Sequence, residues 1–223
     1  MQIDIVDSSG FLQSAKTLES WEEFQRNLQQ IPYRIESSSR ESTTYFVFLA
    51  KYIFVNFCNL IHSFCQDSVI STDKFIHSLF IELLFVDSAD IRDINYEYLK
   101  KDYSTDVLSF PLQILPWNPY EFITADYDFV LCPVAIDGTA HSIPMQCLGS
   151  IIINTDEVLL QAKALKHNLY AELSILFIHA FLHLLGFDHE RDRGEQRNFE
   201  KAIRESLNLP YGLIERNIMG ETS

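Results

Sequence analysis

The feature that most constrains the fold is an apolar stretch from Leu173 to Phe187. Its only polar side chains are Ser174, His179 and His183. A helix that is apolar on every side belongs in the centre of a protein, with other elements packed around it. Two buried imidazoles without partners would cost roughly a few kcal/mol there. A bound metal ion would remove that cost, so the stretch indicates more than a structural helix.

The spacing of the histidines favours a metal site. His179 and His183 lie four residues apart, which on a helix puts their Cβ atoms about 5–6 Å apart on one face. His189 reaches the same point only if the helix ends and the chain folds back. Gly186 favours that break, because glycine readily adopts the left-handed conformation that follows many helices. Three histidines and an open fourth position are typical of catalytic zinc, and they disfavour the alternative of hydrogen-bonded core histidines.

The same histidine spacing occurs in the metzincin metalloproteases. Those enzymes carry a glutamate directly after the first histidine, where it acts as the general base. This chain has Ala180 at that position. Peptide hydrolysis by that route is therefore disfavoured, and a metalloprotease ranks third among the functions considered.

The chain of 223 residues suits a single domain, and it contains no internal repeat. Alternating or continuous apolar runs indicate strands, and apolar residues at helical spacing indicate helices. Residues 113–146 contain four prolines and are predicted to form a long connection, with a hairpin around 128–136. The pattern predicts strands over 2–6, 79–86, 106–112 and 148–154, and helices over 17–30, 45–65, 87–99, 155–167, 168–185 and about 192–207.

The segment 45–65 is long and apolar enough to be tested as a membrane span. On a helix, its five polar side chains fall within an arc of about 140°. A lipid-spanning helix has no need of such a stripe, so a buried amphipathic helix is favoured over a membrane-associated one. We therefore expect no membrane partner. The residues of the stripe are Lys51, Asn56, Asn59, His62 and Ser63.

The charge of the chain limits how it can bind nucleic acid. Acidic residues outnumber basic ones by 31 to 17, giving a formal charge of −14. Such a protein repels RNA and DNA at long range, so an RNA partner needs a local basic patch or a metal. The cations after the histidine motif alternate with acids. Ion pairs along a solvated helix are favoured over a phosphate-binding ridge for these five: Arg191, Arg193, Arg197, Lys201 and Arg204.

The cysteines and the start of the chain favour a cytoplasmic protein. No two cysteines form a CxxC pair, and buried reduced thiols are the simplest interpretation. The first ten residues, MQIDIVDSSG, do not have the cationic and apolar regions of a secretory signal. A reducing compartment agrees with both observations. The cysteines are Cys58, Cys65, Cys132 and Cys147.

Three blocks of the sequence resemble one family. The segment HAFLHLLGFDH (179–189) closely resembles the signature of the YbeY family of endoribonucleases. Residues 91–111 and 148–154 resemble two further blocks of that family in the same order. The resemblance covers about residues 79–207. It implies one domain over 1–223, with insertions at about 30–78 and 113–146.

The resemblance implies a fold, a cofactor and an activity. The fold is α+β, a small mixed β-sheet packed with helices, in which the central apolar helix carries a three-histidine metal site. One Zn²⁺ per chain is held by His179, His183 and His189. The activity is metal-dependent, single-strand-specific endoribonuclease cleavage in late ribosomal RNA processing, chiefly at the 3′ end of small-subunit RNA, and in ribosome quality control. The partners are ribosomal RNA and the ribosome or its proteins, and DNA is not expected.

Two positions depart from the family. The family usually has an arginine where this chain has Leu99, and an aspartate where it has Ser150. We hypothesise that Lys100 replaces the arginine imperfectly, because lysine supplies a point charge in place of a planar fork. Lys100 and Asp188 are therefore weak catalytic candidates. Asp188 is interpreted equally as orienting a ligand or a water, or as capping the broken helix.

The strand at 106–112 and the function each have two alternative interpretations. No general base is identified, and Thr105, Asp106 and Ser109 are assigned to hydrogen bonds at the strand end in preference to lining the cleft. Leu99 and the negative charge also motivate a second function. In that alternative the protein is a ribosome-assembly or RNA-binding factor, with a mainly structural zinc and little nuclease activity.

Overall fold

The computed structural model describes residues 1–14, 19–24, 42–64, 79–112 and 146–216. The predicted hairpin at 128–136, most of the helix predicted at 17–30, and Cys65 and Cys132 lie outside these residues. Residues 19–24 are helical. The regular elements of the described chain are β1 (Gln2–Asp7), α1 (Ser42–Phe64), β2 (Leu79–Val86), α2 (Ser88–Leu99), β3 (Val107–Pro111), β4 (Gln146–Asn154), α3 (Thr155–Leu165), α4 (Leu169–Leu184) and α5 (Glu195–Ser206).

The described strands form one mixed sheet in the order β1-β2-β4-β3. The pairs β1/β2 and β2/β4 are parallel, whereas β3 runs antiparallel to β4. Helix α4 packs on β3 and β4, and also contacts α1, α3 and α5. The α+β fold expected from the family resemblance, with a mixed sheet covered by helices, is therefore confirmed.

Helix α4 lies in the centre of the molecule, as its sequence predicts. Every residue from Leu169 to Leu184 except His183 is buried. Helix α1 covers one side of it with a row of aromatic and aliphatic side chains, and the rings of Phe46 and Phe177 lie 5.4 Å apart. The burial of this α1 face confirms the prediction of a buried amphipathic helix. No helix in the described ranges has the length and apolar character needed to cross a membrane.

Short polar side chains begin three of the helices. The carboxylate of Asp87 accepts hydrogen bonds from the first backbone N–H groups of α2, and Asn154 does the same for α3. Asn168 caps α4 by accepting from Tyr170 N at 2.8 Å. Each cap satisfies N–H groups that have no partner within the helix.

Two predicted helix starts are wrong by about three residues, and one short helix was not predicted. Helix α1 begins at Ser42, three residues before the predicted start at Tyr45. A 3-10 helix at Phe11–Gln13 was not predicted. The last helix begins at Glu195 and not at about 192, because Gly194 before it has a φ of 101°. Asp192 caps this helix by accepting a hydrogen bond from Gln196 N at 2.8 Å.

The cysteines that the structure describes are free thiols. Cys58 is buried in α1 and Cys147 is half-buried in β4. Burial raises the pKa of the Cys58 thiol to about 12, so this sulfur stays protonated and unreactive at neutral pH. Both side chains agree with the reduced state expected from the sequence.

A buried ion cluster ties the end of the described chain to α4. The Glu172 carboxylate accepts two 2.9 Å hydrogen bonds from the Arg216 guanidinium and lies 2.7 Å from His167 Nε2. Burial alone would raise the pKa of Glu172, but the bonds from His167 and Arg216 outweigh it and hold that pKa below its usual value. This cluster brings residues 209–216 back against the helix that carries the histidines.

Gly149 is required where β4 passes closest to α4. Its φ is 145°, and an added Cβ would overlap the carbonyl oxygen of Phe110 and lie 2.9 Å from Leu184 Cδ2. We expect Gly149→Ala to lower the free energy of unfolding by about 2–4 kcal/mol, through overlap and backbone strain. Denaturant unfolding measures this change. Gly10→Ala is the matched control, since Gly10 has a φ of 68° in open space and should lose only about 1 kcal/mol. Equal losses in both variants would contradict the role of the close approach.

Candidate metal centre

Helix α4 ends in the way that the sequence predicts at Gly186. Gly186 has a φ of 89°, and its N–H donates to His183 O at 3.0 Å. The N–H of Phe187 donates to Leu182 O, also at 3.0 Å. These two bonds form a Schellman motif, which closes the helix and reverses the chain. The reversal brings His189 back beside the histidines of the helix.

The three predicted ligands lie together. Ring centroids are separated by 4.8 Å for His179 and His183, 5.0 Å for His179 and His189, and 5.2 Å for His183 and His189. One nitrogen from each ring can be chosen so that all three lie within 4.8 Å of one another. Such a group could hold one metal ion.

The hydrogen bonds of the first two rings assign their protons. His183 Nδ1 lies 2.9 Å from Phe187 O, and His179 Nδ1 lies 3.1 Å from Glu200 Oε2. Both oxygens are acceptors, so each Nδ1 carries the hydrogen and each Nε2 presents a lone pair. The two Nε2 atoms face each other at 3.2 Å. Two lone pairs at that distance repel, and a shared cation turns this repulsion into coordination.

Burial keeps one of these rings neutral. It lowers the pKa of His183 to about 4, and the neighbouring His179 and His189 add to the effect. At pH 7 the ring is therefore unprotonated, which is the form that binds a metal.

Helix α5 supplies two buried polar side chains that support the site. Glu200, only 3% exposed, joins His179 to the backbone N–H of Leu213, which donates to Oε1 at 2.9 Å. Gln196 is fully buried, and its Oε1 accepts from His189 N at 3.0 Å. Glu200 thus fixes the imidazole of His179, and Gln196 fixes the backbone of His189, as the outer partners of metal ligands commonly do.

The sequence interpretation did not identify Glu200 or Gln196. The sequence spacing gave a sign of their role. Gln196, Glu200 and Ile203 recur at the spacing of one helix face, which the structure shows to be buried, and two of them are polar. A polar pair on a buried helix face needs a partner, and the histidines are that partner.

We expect Glu200→Gln to weaken zinc binding by about 10–100-fold, the usual cost of losing an outer-shell partner. An amide has one acceptor in place of two, so either His179 or the Leu213 N–H loses its bond. Competition with a chromophoric zinc chelator measures the affinity. Glu205→Gln on the exposed face of the same helix is the control and should bind zinc like the wild type. Unchanged affinity in Glu200→Gln would contradict the positioning role.

The histidines lie in an open cleft with a volume of about 380 Å³. Leu99 and Asp188 line it as well, so two of the positions singled out in the sequence meet the candidate metal site. Asp188 also caps the turn after the helix, where its Oδ1 accepts from Glu190 N at 3.1 Å. Both alternatives considered for Asp188, in the site and as a cap, are thus compatible with its position.

Lys100 does not line this cleft. Its Nζ donates to Glu97 O at 2.9 Å, and its backbone ends α2 with a φ of 60°. Lys101 lines the cleft instead. The reason is the left-handed residue at the helix end, which turns the chain so that the second lysine, and not the first, faces the histidines.

Residues of the TDVLSF segment line the cleft and also form local hydrogen bonds. Thr105, Asp106 and Ser109 all line the cleft. Asp106 also accepts bonds from Val107 N at 2.8 Å and from Thr105 Oγ1 at 3.1 Å. The local hydrogen bonds preferred in the sequence interpretation are therefore present for Thr105 and Asp106, and the place in the cleft is found as well.

Ser150 lies away from the cleft lining, opposite Glu82 on the neighbouring strand. Its Oγ donates to Glu82 Oε2 at 2.6 Å. An aspartate at this position would place two carboxylates side by side, which is unfavourable on a sheet. The serine is thus explained by its strand neighbour.

Several cations after the motif pair with acids. Arg191 Nε lies 3.4 Å from Asp188 Oδ2, and Lys201 Nζ lies 3.9 Å from Glu205 Oε1. The Arg204 guanidinium is buried and donates to Glu215 Oε1 at 2.9 Å. These contacts favour the ion-pair interpretation of α5 over a phosphate-binding ridge.

The fold and the site together define an α+β protein with a three-histidine group that could hold a metal ion beside an open cleft. The sequence profile of the family described as Endoribonuclease YbeY matches residues 55–209. The chain therefore belongs to the YbeY endoribonuclease family, and the resemblance seen in its sequence blocks is confirmed.

Two relatives, from Campylobacter jejuni and Helicobacter pylori, agree with this assignment. The chain is 41% identical over 152 residues to Endoribonuclease YbeY of Campylobacter jejuni strain RM1221, which covers 68% of this chain and 93% of that protein. It is 40% identical over 136 residues to the Helicobacter pylori strain 26695 protein of the same description, covering 61% and 77%. The solution structure of TM1509 from Thermotoga maritima matches 92% of this chain and 88% of its own, with a TM-score of 0.41 and 18% identity.

Proposed function

We propose that the protein is a zinc-dependent endoribonuclease that cleaves single-stranded ribosomal RNA. The observation that carries the proposal is the convergence of three histidine nitrogens within 4.8 Å in an open cleft of a YbeY-family chain. His179, His183 and His189 hold one Zn²⁺ per chain. This three-ligand set leaves a coordination position for the substrate or for water.

The groups in and around the cleft have different roles in the proposed reaction. A bound zinc ion supplies Lewis-acid chemistry: it polarises a phosphoryl oxygen and makes water more acidic. Glu200 and Gln196 hold the site in shape through His179 and the His189 backbone. Asp188, a weak catalytic candidate at the cleft wall, orients the attacking water. Lys100, the other candidate from the sequence, has its Nζ bonded to Glu97 O outside the cleft lining.

The cellular role follows from the family and is proposed with it. The enzyme acts in late processing of small-subunit ribosomal RNA at its 3′ end and in ribosome quality control. Its partners are ribosomal RNA and the ribosome or its proteins, in the cytoplasm, and neither DNA nor a membrane. We further propose one domain over residues 1–223, in which segments 30–78 and 113–146 are insertions.

A ribosome-assembly factor with a structural zinc is the second candidate. Leu99 favours it, because this cleft residue replaces a cation with an apolar group. Three acids in the cleft lining favour it too, since carboxylates repel phosphates: Asp106, Asp188 and Glu190.

One assay separates the two functions. The purified, zinc-loaded chain is incubated with a single-stranded RNA, the same RNA as a duplex, and a single-stranded DNA. The enzyme should cut the single-stranded RNA alone, stop with excess chelator, and recover with added zinc. RNA binding without cleavage, under conditions where zinc is bound, would favour the assembly factor.

We expect Leu99→Arg to increase RNA cleavage about tenfold. A charge-assisted bond to phosphate contributes roughly 1.5–3 kcal/mol, and Leu99 already lines the cleft. The measurement is kcat/KM on single-stranded RNA, with zinc content checked in parallel. Leu99→Gln, similar in length but uncharged, is the control and should stay near the wild type. An equal increase in both variants, or none in either, would mean that the missing charge does not limit cleavage.

A further inference from the structure

The loop between α2 and β3, residues 100–106, is held rigidly beside the histidines. The buried amide of Asn95 donates to Tyr103 O at 2.8 Å, and Lys101 N donates to Asn95 O at 3.3 Å. From the other side, Asn154 Nδ2 donates to Thr105 O at 2.9 Å. Two buried asparagines thus fix the backbone of the loop at both ends.

This fixed loop presents an aromatic ring to solvent. The Tyr103 side chain is 54% exposed and lines the same cleft as the histidines. A ring on a rigid backbone loses little entropy when a flat ligand stacks on it, so it is prepared for binding.

The charges of the cleft decide which ligand fits beside that ring. Among the described residues that line the cleft, Lys101 is the one lysine or arginine, against three carboxylates. A polyanion entering the cleft is repelled by the acids and attracted at Lys101. A flat ring and a single cation on the same short loop and in the same cleft lining match one nucleotide unit, a base with its neighbouring phosphate.

We propose that Tyr103 and Lys101 form a nucleotide subsite at the cleft mouth, where the ring of Tyr103 stacks on an unpaired base and Lys101 binds the adjacent phosphate. This proposal rests on the proposed ribonuclease function and gives a reason for its preference for single strands. A base in a duplex is covered by its neighbours on both faces, so it cannot stack on a protein ring.

Binding of a short oligouridine by the zinc-loaded chain tests the subsite. The strand carries 2′-O-methyl groups and a fluorophore, its integrity is checked after each measurement, and anisotropy gives the Kd. Tyr103→Ala should bind about tenfold more weakly, because base stacking contributes roughly 1–3 kcal/mol. Tyr103→Phe should stay within about twofold, since stacking needs the ring and not the hydroxyl.

An abasic strand of the same length separates stacking from a folding defect. Tyr103→Ala should bind it like the wild type, because there is no base to stack on the ring. Lys101→Ala should weaken both strands and reduce the slope of log Kd against log salt by about 0.7, the value for one phosphate contact on a single strand. Tyr96→Ala and Lys163→Ala, at exposed positions outside the cleft lining, should change neither.

The outcomes distinguish this subsite from the ribonuclease proposal. If the wild type cleaves RNA but Tyr103→Ala keeps its affinity, the subsite is wrong and the function stands. If the wild type prefers the base-bearing strand through Tyr103 but never cleaves, the subsite stands and the nuclease is wrong. The subsite is also overturned if the wild type binds no RNA, if Tyr103→Ala weakens both strands equally, or if Lys100→Ala and not Lys101→Ala reduces the salt slope.

Discussion

Replacing His183 with alanine is expected to remove both the zinc and the RNA cleavage. His183 is one of the three candidate ligands; its Nε2 lies 3.2 Å from His179 Nε2 and its ring is 5.2 Å from that of His189. Without it two ligands remain, too few for a stable zinc site. Loss of the metal's Lewis-acid contribution, several kcal/mol, predicts at least about a hundredfold lower kcat/KM.

Two measurements on the same samples check this result. Elemental analysis should find close to one zinc per wild-type chain and less than a tenth in His183→Ala, and the cleavage assay should follow the zinc content. His167→Ala provides a histidine control, because His167 bonds to Glu172 and has no place among the three candidate ligands. A variant that loses zinc but still cleaves would contradict the zinc-dependent mechanism, whereas a zinc-loaded wild type that does not cleave would favour the assembly factor.

The centre of the fold could be predicted from the sequence because the residues that determine it are close together in the chain. An apolar stretch around His179 and His183 can only be a buried helix, and Gly186 marks its end. Hydrogen bonds within a few residues fix both features, so spacing alone predicts the turn that brings His189 back. The same reasoning explains why β2, a continuous apolar run, was predicted with the correct bounds.

The spacing of Gln196 and Glu200 places them on one face of α5, but their supporting role depends on contacts between distant segments. Glu200 acquires its supporting role only when α5 packs beside α4 and the backbone N–H of Leu213 donates to its carboxylate. The choice between Lys100 and Lys101 rests on one left-handed residue at the end of α2. Spacing on an ideal helix does not predict that turn, so the sequence pointed to the wrong one of two neighbouring lysines as the side chain lining the cleft.

Removing the zinc is expected to lower the melting temperature of the protein by about 10 °C. A ligand that binds only the native state at a thousand times its Kd stabilises that state by about 4 kcal/mol. For a chain of this size each kcal/mol corresponds to roughly 2–4 °C. The structure gives the reason for a large effect. The metal-free centre leaves His179 and His183 lone pairs facing each other, and His189 Nδ1 is buried without a partner in the described residues.

Calorimetry with and without excess chelator measures the shift, and added zinc in excess of the chelator should reverse it. His183→Ala serves as the control, because a chain that binds no zinc has none to lose. Its melting temperature should therefore be low from the start and unaffected by the chelator. An equal drop in wild type and His183→Ala would show that the chelator acts elsewhere. An unchanged wild-type melting temperature, with zinc removal verified by elemental analysis, would mean that the buried imidazoles are satisfied without a metal and that the centre is not built around one.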